Sequence, residues 1–563
     1  MKNYRFCTFI AAMFAVIFLA ACDEPSSLDS ASGLKNIVLT PVGTGGISSF
    51  KFKTGTLNYL GVLAETSVTG VKIKAFCEDE TEQSITVSYE DETVGEDEDS
   101  TKIQTLVPGT DSNAIPLSVG ETRTISIVVD EGGKNNIRYT IRIKRLSFEQ
   151  NEIKTPIALG SNHAFAVGND GEAFATGVND LGQLGMPTDW GNDDKINTFT
   201  KVDGLEGKVI KAIVASGDYT VALTDVGTLW VTGDSMHGQL GLGFDNGNYS
   251  EAEFATINGG TPPVNQAINN FTQVTRAISS KTITAIAAGG DSVFALDNTG
   301  KVWATGWDVH GQLGLVENGG SRLIFTEVQS LNSKNIVAIA VGKSHALALG
   351  DNGKVYAAGL NENGQLGLGD TSNKDTFMLV SGLEGEEIIA ISAGEHCSFA
   401  LNENGKLFVA GLNDYGQLGL GDDSDTFNNF VEVTNLQDED GNDIVITAIA
   451  SGANYTLVID YNGKLWAAGL NDEGQLGIDE TTLTDEEGLP VEIIEHKFKA
   501  FTEVKSLSGK TITAITASDK SSFAIDSDKK AWATGSNQYG QLGLGNYEAK
   551  TVFTQVTGLD GKL

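Results

Sequence analysis

Four residues recur seven times in this chain, and no other feature limits its fold as tightly. The tetrapeptide stands at Gly182-Gln183-Leu184-Gly185, Gly238-Gln239-Leu240-Gly241, Gly311-Gln312-Leu313-Gly314, Gly364-Gln365-Leu366-Gly367, Gly416-Gln417-Leu418-Gly419, Gly474-Gln475-Leu476-Gly477 and Gly540-Gln541-Leu542-Gly543. Recurrence at spacings of roughly fifty to seventy residues marks a repeat architecture. One larger unit runs Ile339-Ala340-Val341-Gly342, His345-Ala346-Leu347-Ala348-Leu349, Asp351-Asn352-Gly353, Val355-Tyr356-Ala357-Ala358-Gly359, and then a copy of the tetrapeptide. Its apolar runs have strand length and are rich in β-branched and aromatic residues. The turns at Asn169-Asp170-Gly171, Asn298-Thr299-Gly300 and Asn462-Gly463 repeat a hairpin signal, since glycine reaches positive φ without steric cost. The seventh unit departs, with Asp528-Lys529-Lys530.

A Phe-x-x-Val segment follows each copy, at Phe199–Val202, Phe271–Val274, Phe325–Val328, Phe377–Val380, Phe430–Val433, Phe501–Val504 and Phe553–Val556. Each unit therefore supplies about four strands. Seven such units predict an all-β fold, a seven-bladed β-propeller over residues 151–563. In the tetrapeptide the glycines permit a tight turn, the leucine can be buried, and the Gln amide can satisfy loop backbone groups. These residues read as structural.

The units resemble the regulator-of-chromosome-condensation repeat family, and the resemblance covers nearly three quarters of the chain. It implies a seven-bladed propeller. It leaves function open, because propellers carry unrelated activities. Nothing like Phe-x-x-Val precedes the first unit at Ile157-Ala158-Leu159-Gly160. The last such strand is therefore expected to pair into the first blade, burying Phe553 and Val556 and removing two sheet edges.

Residues 1–21 read as an export signal, with Lys2 and Arg5 before an apolar run too short to span a bilayer. The ending Leu19-Ala20-Ala21-Cys22 resembles the bacterial lipobox. That resemblance implies cleavage before Cys22, acylation there, and attachment to the bilayer through the acylated N-terminus. The expected location is the bacterial cell envelope, with the outer membrane or cell surface favoured over the inner membrane. Of the remaining cysteines, Cys77 and Cys397 fall in different domains and read as small buried residues. Residues 22–33 form a polar tether.

Residues 34–147 alternate with period two, most cleanly in Tyr139-Thr140-Ile141-Arg142-Ile143-Lys144. About seven such strands predict a small antiparallel β-sandwich. Pro116-Leu117-Ser118-Val119-Gly120-Glu121 and the segment ending in Arg145 resemble cadherin-like bacterial domains, which serve as spacers or adhesive modules. The acidic run from Glu90 to Asp99 reads as a solvated loop, with a weak calcium site as the sharper alternative. Asp438-Glu439-Asp440-Gly441-Asn442-Asp443 invites the same reading but fails the helix-loop-helix calcium spacing.

The formal net charge of −36 argues against nucleic acid, whose binders need basic stripes. It favours neutral or cationic partners, although the carboxylates are scattered through loops. No phosphate-cradling loop, Gly-x-Ser-x-Gly elbow or His-Glu-x-x-His occurs, and neither a cofactor nor a metal site is expected. His163, His345 and His396 align with Tyr219, Val293, Tyr455 and Ser522, a pattern of packing or hydrogen bonding. Asp225-Val226-Gly227-Thr228-Leu229-Trp230 and the hairpin from Asp297 to Trp303 resemble the Asp-box hairpins of sialidases, but the preceding Ser is missing.

The expected function is non-catalytic: an envelope lipoprotein whose propeller binds an envelope or extracellular protein or a glycan. Secreted β-lactamase-inhibiting propellers of similar repeat type show that such heads bind proteins. Two alternatives remain. One is guanine-nucleotide exchange by family inheritance, which an exported acidic chain fits poorly. The other is a propeller glycosidase or lyase. The long gaps from Gly241 to Phe271 and from Gly477 to Phe501 are expected to project from one rim and to carry specificity.

Overall fold

The computed structural model describes residues 156–563, apart from 187–194, 244–266, 317–318, 422–425, 438–442 and 481–495. Before residue 156 it describes the strands named below and Ser112. The chain divides into two compact units, Met1–Asn151 and Glu152–Leu563.

In the first unit, Leu34–Val42, Gly70–Cys77 and Ile115–Pro116 form one antiparallel sheet. A second sheet has the order Ala15–Ala21, Ile137–Arg145, Thr122–Glu131, Gln83–Glu90, Thr101–Leu106. Val87 and Leu106 are buried while Ile103 is exposed. Ala15–Ala21 lies within the segment read as an export signal. Cleavage before Cys22 would leave Ile137–Arg145 at that edge.

The second unit is a ring of seven four-stranded antiparallel sheets. The fourth blade is representative: Ile336–Val341, His345–Gly350, Val355–Gly359 and Lys374–Leu379, paired in that order. The first strands of successive blades touch one another all the way round, so they line a central channel. The second strands are buried along their whole length in nearly every blade. Such strands read as continuous apolar and small runs, since both faces meet a neighbouring sheet. In the seventh blade Lys529 takes the left-handed turn position, φ 61°, that glycine holds at Gly353 and Gly463.

The ring does not close by strand exchange. The last strand, Lys550–Gln555, pairs with Ala531–Gly535 of its own blade. The first blade uses its own outer strand, Lys195–Lys201. Phe553 and Val556 are buried, but Phe553 packs in the core shared by blades six and seven. Val556 sits in the core joining blade seven to blade one, together with Ile157, Phe174, Phe199, Leu559 and Leu563. Exchange is unnecessary because each tetrapeptide reaches the Phe strand of the following blade. Gly367 has φ +63°, and a Cβ there would stand 2.4 Å from the Phe430 ring. Gly543 stands in the same way against Phe199, which completes the circle.

The segment after the last strand acts as a connector. Between covalently joined blades, the connector carbonyl accepts a hydrogen bond from the next blade's hairpin, as in Asp351 N–H to Asn335 O at 2.9 Å. The Asn169 N–H donates to Lys562 O at 2.9 Å in the same manner, without a peptide link. Lys562 lies over Phe174 at 4.3 Å, as Lys334 lies over Tyr356 and Lys510 over Trp532.

Candidate functional site

Loops joining the first to second and the third to outer strands of each blade emerge on one face, because strand direction alternates. The tetrapeptides lie in the second kind of loop. In all seven copies the Gln Oε1 accepts the N–H two residues earlier, at 2.8–3.0 Å, for example from Leu181 and Tyr539. In six of them the Leu N–H donates to an Asn or Asp side chain five residues before it: Asn179, Asp308, Asn361, Asn413, Asn471 or Asn537. Ser235 replaces this anchor in blade two. All seven Gln residues and all seven Leu residues are buried. Their chemistry is therefore that of a loop clamp.

The histidines divide by depth. His163 and His345 open second strands and reach the next blade through Thr220 and Ser398, both at 2.9 Å. Burial pushes both imidazoles down to about 3. Tyr219 and Tyr455 hold the same position and donate to the carbonyls of Ser292 and Ser521. The structural register places Ser292, Cys397 and Ser521 in this set, in place of Val293, His396 and Ser522. Cys397 is a buried free thiol pushed up to about 12 by burial.

One residue further out the pattern ends. The residues immediately before the second strands are Asn162, Asp218, Asp291, Ser344, His396, Asn454 and Lys520. They encircle the channel mouth. Burial raises the Asp218 carboxyl to about 6, with further upward pressure from Asp180, Asp234, Asp291 and Asp519. Those five carboxylates come from four blades. Gln183 Nε2 donates to Asp180 at 3.1 Å and reaches Asp218 at 3.4 Å, while Gln239 Nε2 donates to Asp234 at 3.0 Å. Across the mouth, Lys343 pairs with Glu395, and Lys520 lies 3.4 Å from Asp472 and 3.3 Å from Glu473. Sequence reasoning found only scattered loop carboxylates. Aligning the residues just before each second strand brings out Asp218 and Asp291, but Asp180, Asp234 and Asp519 join them only in the folded ring.

The Asp-box-like carboxylates are engaged internally. Asp297 accepts the Thr299 N–H at 2.8 Å and the Trp303 indole N–H at 3.0 Å, and Asp460 and Asp526 hold Trp466 and Trp532 likewise. In blade two Thr224, not Asp225, takes this turn position. Among the described residues no group of three or more His, Cys, Asp or Glu is arranged to hold a metal ion. Among them too, no helix is long and apolar enough to cross a membrane. Cys22, Asp91 to Asp99, Asp438 to Asn442 and most of both long insertions lie outside the described residues.

Residues 260–562 match the RCC1-like domain. The chain belongs to the RCC1-like domain family. Its RCC1-like region is 33% identical over 273 residues to the ultraviolet-B receptor UVR8 of Arabidopsis thaliana, covering 48% of this chain and 57% of that protein. It is 29% identical over 352 residues to protein pim1 of Schizosaccharomyces pombe, covering 57% and 60%. The chain thus spans under two thirds of these curated relatives. Among solved structures it resembles yeast RCC1 (Prp20) bound to Kap60, with a TM-score of 0.57 at 22% identity over 68% of this chain and 83% of that one. A second Prp20p structure from Saccharomyces cerevisiae, presented with its binding properties to Gsp1p and histones, gives 0.55 at 22% over 68% and 85%. At that identity the likeness speaks to the RCC1-like fold alone.

Proposed function

We propose that the RCC1-like head is a non-catalytic platform that binds a protein partner across its channel mouth, held at a bacterial cell envelope by acylated Cys22. The observation that carries this reading is the change of chemistry at the loop tips. The clamps beneath them are alike in all blades and buried, whereas the seven mouth residues differ in charge and face solvent. Loops on a rigid scaffold are where binding residues concentrate. The carboxylates of the mouth are paired with Lys343 or Lys520, or grouped with like charges around Asp218. The structures of yeast Prp20, with Kap60 and with binding to Gsp1p and histones, support protein binding as a use for this fold. The acidity of this mouth favours a cationic partner surface.

The test is site-specific photo-crosslinking in intact cells with full-length protein. One crosslinker replaces Asn162 at the mouth, and another replaces Asp351 on the opposite face. A protein adduct at 162 and none at 351 is expected. Adducts only at 351 would overturn the reading, as would polysaccharide turnover or stimulated nucleotide exchange by the purified protein.

A further inference from the structure

The two residues before each tetrapeptide begin with a polar side chain in five blades: Asp180, Glu362, Asp414, Asp472 and Gln538. Blades two and three break the pattern with Met236 and Val309, which are 60% and 45% exposed. The break coincides with an aromatic pair. His237 packs against Trp307 in a tilted pair, with ring centroids 4.0 Å apart and planes at 59°, and neither ring is fully buried.

This apolar sector is joined to the carboxylates of the mouth. His237 Nε2 lies 3.9 Å from the Asp291 carboxylate. In the backbone, the Trp307 N–H donates to the Asp291 carbonyl at 2.9 Å and the Asp234 N–H to the Asp218 carbonyl at 3.0 Å, which fixes the positions of these residues relative to one another. Asp234 also accepts the Met236 N–H. Exposed thioether, branched aliphatic and aromatic surface therefore stands beside three half-buried carboxylates, on a chain whose net charge is −36. Lone exposed apolar residues need no explanation. Two at equivalent positions in adjacent blades, beside the tilted Trp307–His237 pair, make a patch.

Resting on the platform reading, we propose that the sector formed by blades two and three docks a protein segment carrying lysine or arginine beside an apolar side chain. The apolar group covers Met236, Val309 and the Trp307 edge. The cation lies toward Asp218, Asp234 and Asp291, which already repel one another. Charge complementarity selects the basic segment, because a neutral one would leave the carboxylates partly desolvated and uncompensated. A purely basic segment would leave the apolar surface wet. Met at such a surface also adapts to different apolar shapes.

The probes are three fluorescein-labelled peptides with Gly-Ser spacers: one with three Lys-Leu pairs, one with Lys-Ser pairs and one with Glu-Leu pairs. Fluorescence anisotropy is read with the full chain at moderate salt. The Lys-Leu peptide should bind at least tenfold tighter than the Lys-Ser peptide, and the Glu-Leu peptide should not bind. Met236→Ser with Val309→Ser should weaken only the Lys-Leu peptide, by fivefold or more. Asp218→Asn with Asp291→Asn should weaken both basic peptides. Asp414→Asn, across the ring, should change neither. Equal affinity of wild type for both basic peptides would overturn the proposal, as would insensitivity to all four sector substitutions. Melting curves confirm that each variant is folded. In cells, a partner captured equally by wild type and the fourfold variant would overturn the sector and leave the platform standing. Peptide discrimination as expected, with no protein captured at residue 162, would uphold the sector's chemistry and overturn the platform.

Discussion

The seams between blades and the mouth of the channel are built from the same loops, yet only the seams repeat. At a seam, the Gln carbonyl always takes the N–H two residues back, and the final glycine always lies under the next blade's Phe. At the mouth, a few ångströms away, Asn162, Asp218, Ser344, His396 and Lys520 occupy one equivalent position. Repetition here marks what holds the ring, and departure from it marks what the ring presents. Gln183 spans both regions: its oxygen clamps the Leu181 N–H while its amide nitrogen reaches Asp218.

Acid should separate the two regions most widely. His163 and His345 stay neutral in the fold down to about 3, against 6.5 when unfolded. The unfolded chain thus binds protons that the fold refuses, and stability is lost as pH falls from about 6.5 toward 3. Each histidine contributes about 1.4 kcal/mol per pH unit in that window. Asp218 at the mouth, raised by burial to about 6, acts in the opposite sense. Folded, it takes up its proton between about pH 6 and 4, before the unfolded carboxylate does, so acidification there stabilises. His163→Gln with His345→Gln should flatten the acid limb, and Asp218→Asn should steepen it. Urea midpoints read by tryptophan fluorescence check both, since all six tryptophans lie beyond residue 151.

Next in size, deleting residues 557–563 keeps every strand but removes buried Leu559 and Leu563. The expected loss is roughly 3–6 kcal/mol at about 1.5–3 kcal/mol for each leucine, seen in the same urea assay. An unchanged midpoint would show that the seam between blades seven and one is held by strands alone. Gly367→Val combines a left-handed backbone penalty of roughly 1–2 kcal/mol with overpacking of about 1–3 kcal/mol against Phe430. Asp218→Asn at the mouth should cost no stability at neutral pH, because it removes a carboxylate that burial and like charges disfavour in the fold. Equal losses from those two would erase the distinction between seam and mouth. Smallest, Lys510→Met removes the cation from the Trp532 face, 4.2 Å from the ring centroid. It should cost about 0.5–1 kcal/mol, resolvable as a small shift in melting temperature.

Much of the seam was readable from residues because its physics is local. Strand alternation, hairpin glycines and a recurring tetrapeptide act within fifty residues, and they yield the blade count and the four strands of each blade. The closure was misjudged because a missing Phe-x-x-Val before Ile157 looks the same whether strands are exchanged or each tetrapeptide reaches forward to the next blade. The pairing of Lys550–Gln555 within its own blade and of Lys195–Lys201 within the first decides between them, and Gly543 under Phe199 completes the circle. The mouth was illegible for a different reason. Asp180, Asp218, Asp291 and Asp519 are far apart in sequence, and their mutual repulsion exists only after the ring has brought four blades together. The Asn that stands five residues before the tetrapeptide Leu in five blades was visible but carried no meaning until its side-chain oxygen was seen to accept the Leu N–H.

The connector that docks through Lys562 without a peptide link gives the ring one weak link in chain statistics. Six seams join blades that neighbour each other in sequence. The seventh must bring together positions about 400 residues apart. With a closure cost that grows as (3/2)RT ln n, this is about 2 kcal/mol more than gathering a span of about 50 residues. Otherwise equal seams therefore open first where the chain is cut. Heat or force should peel the head apart from blades one and seven, with the tightly repeated middle blades parting last. A circular permutant that joins residue 563 to 156 and breaks the chain elsewhere should move the opening point to the new break.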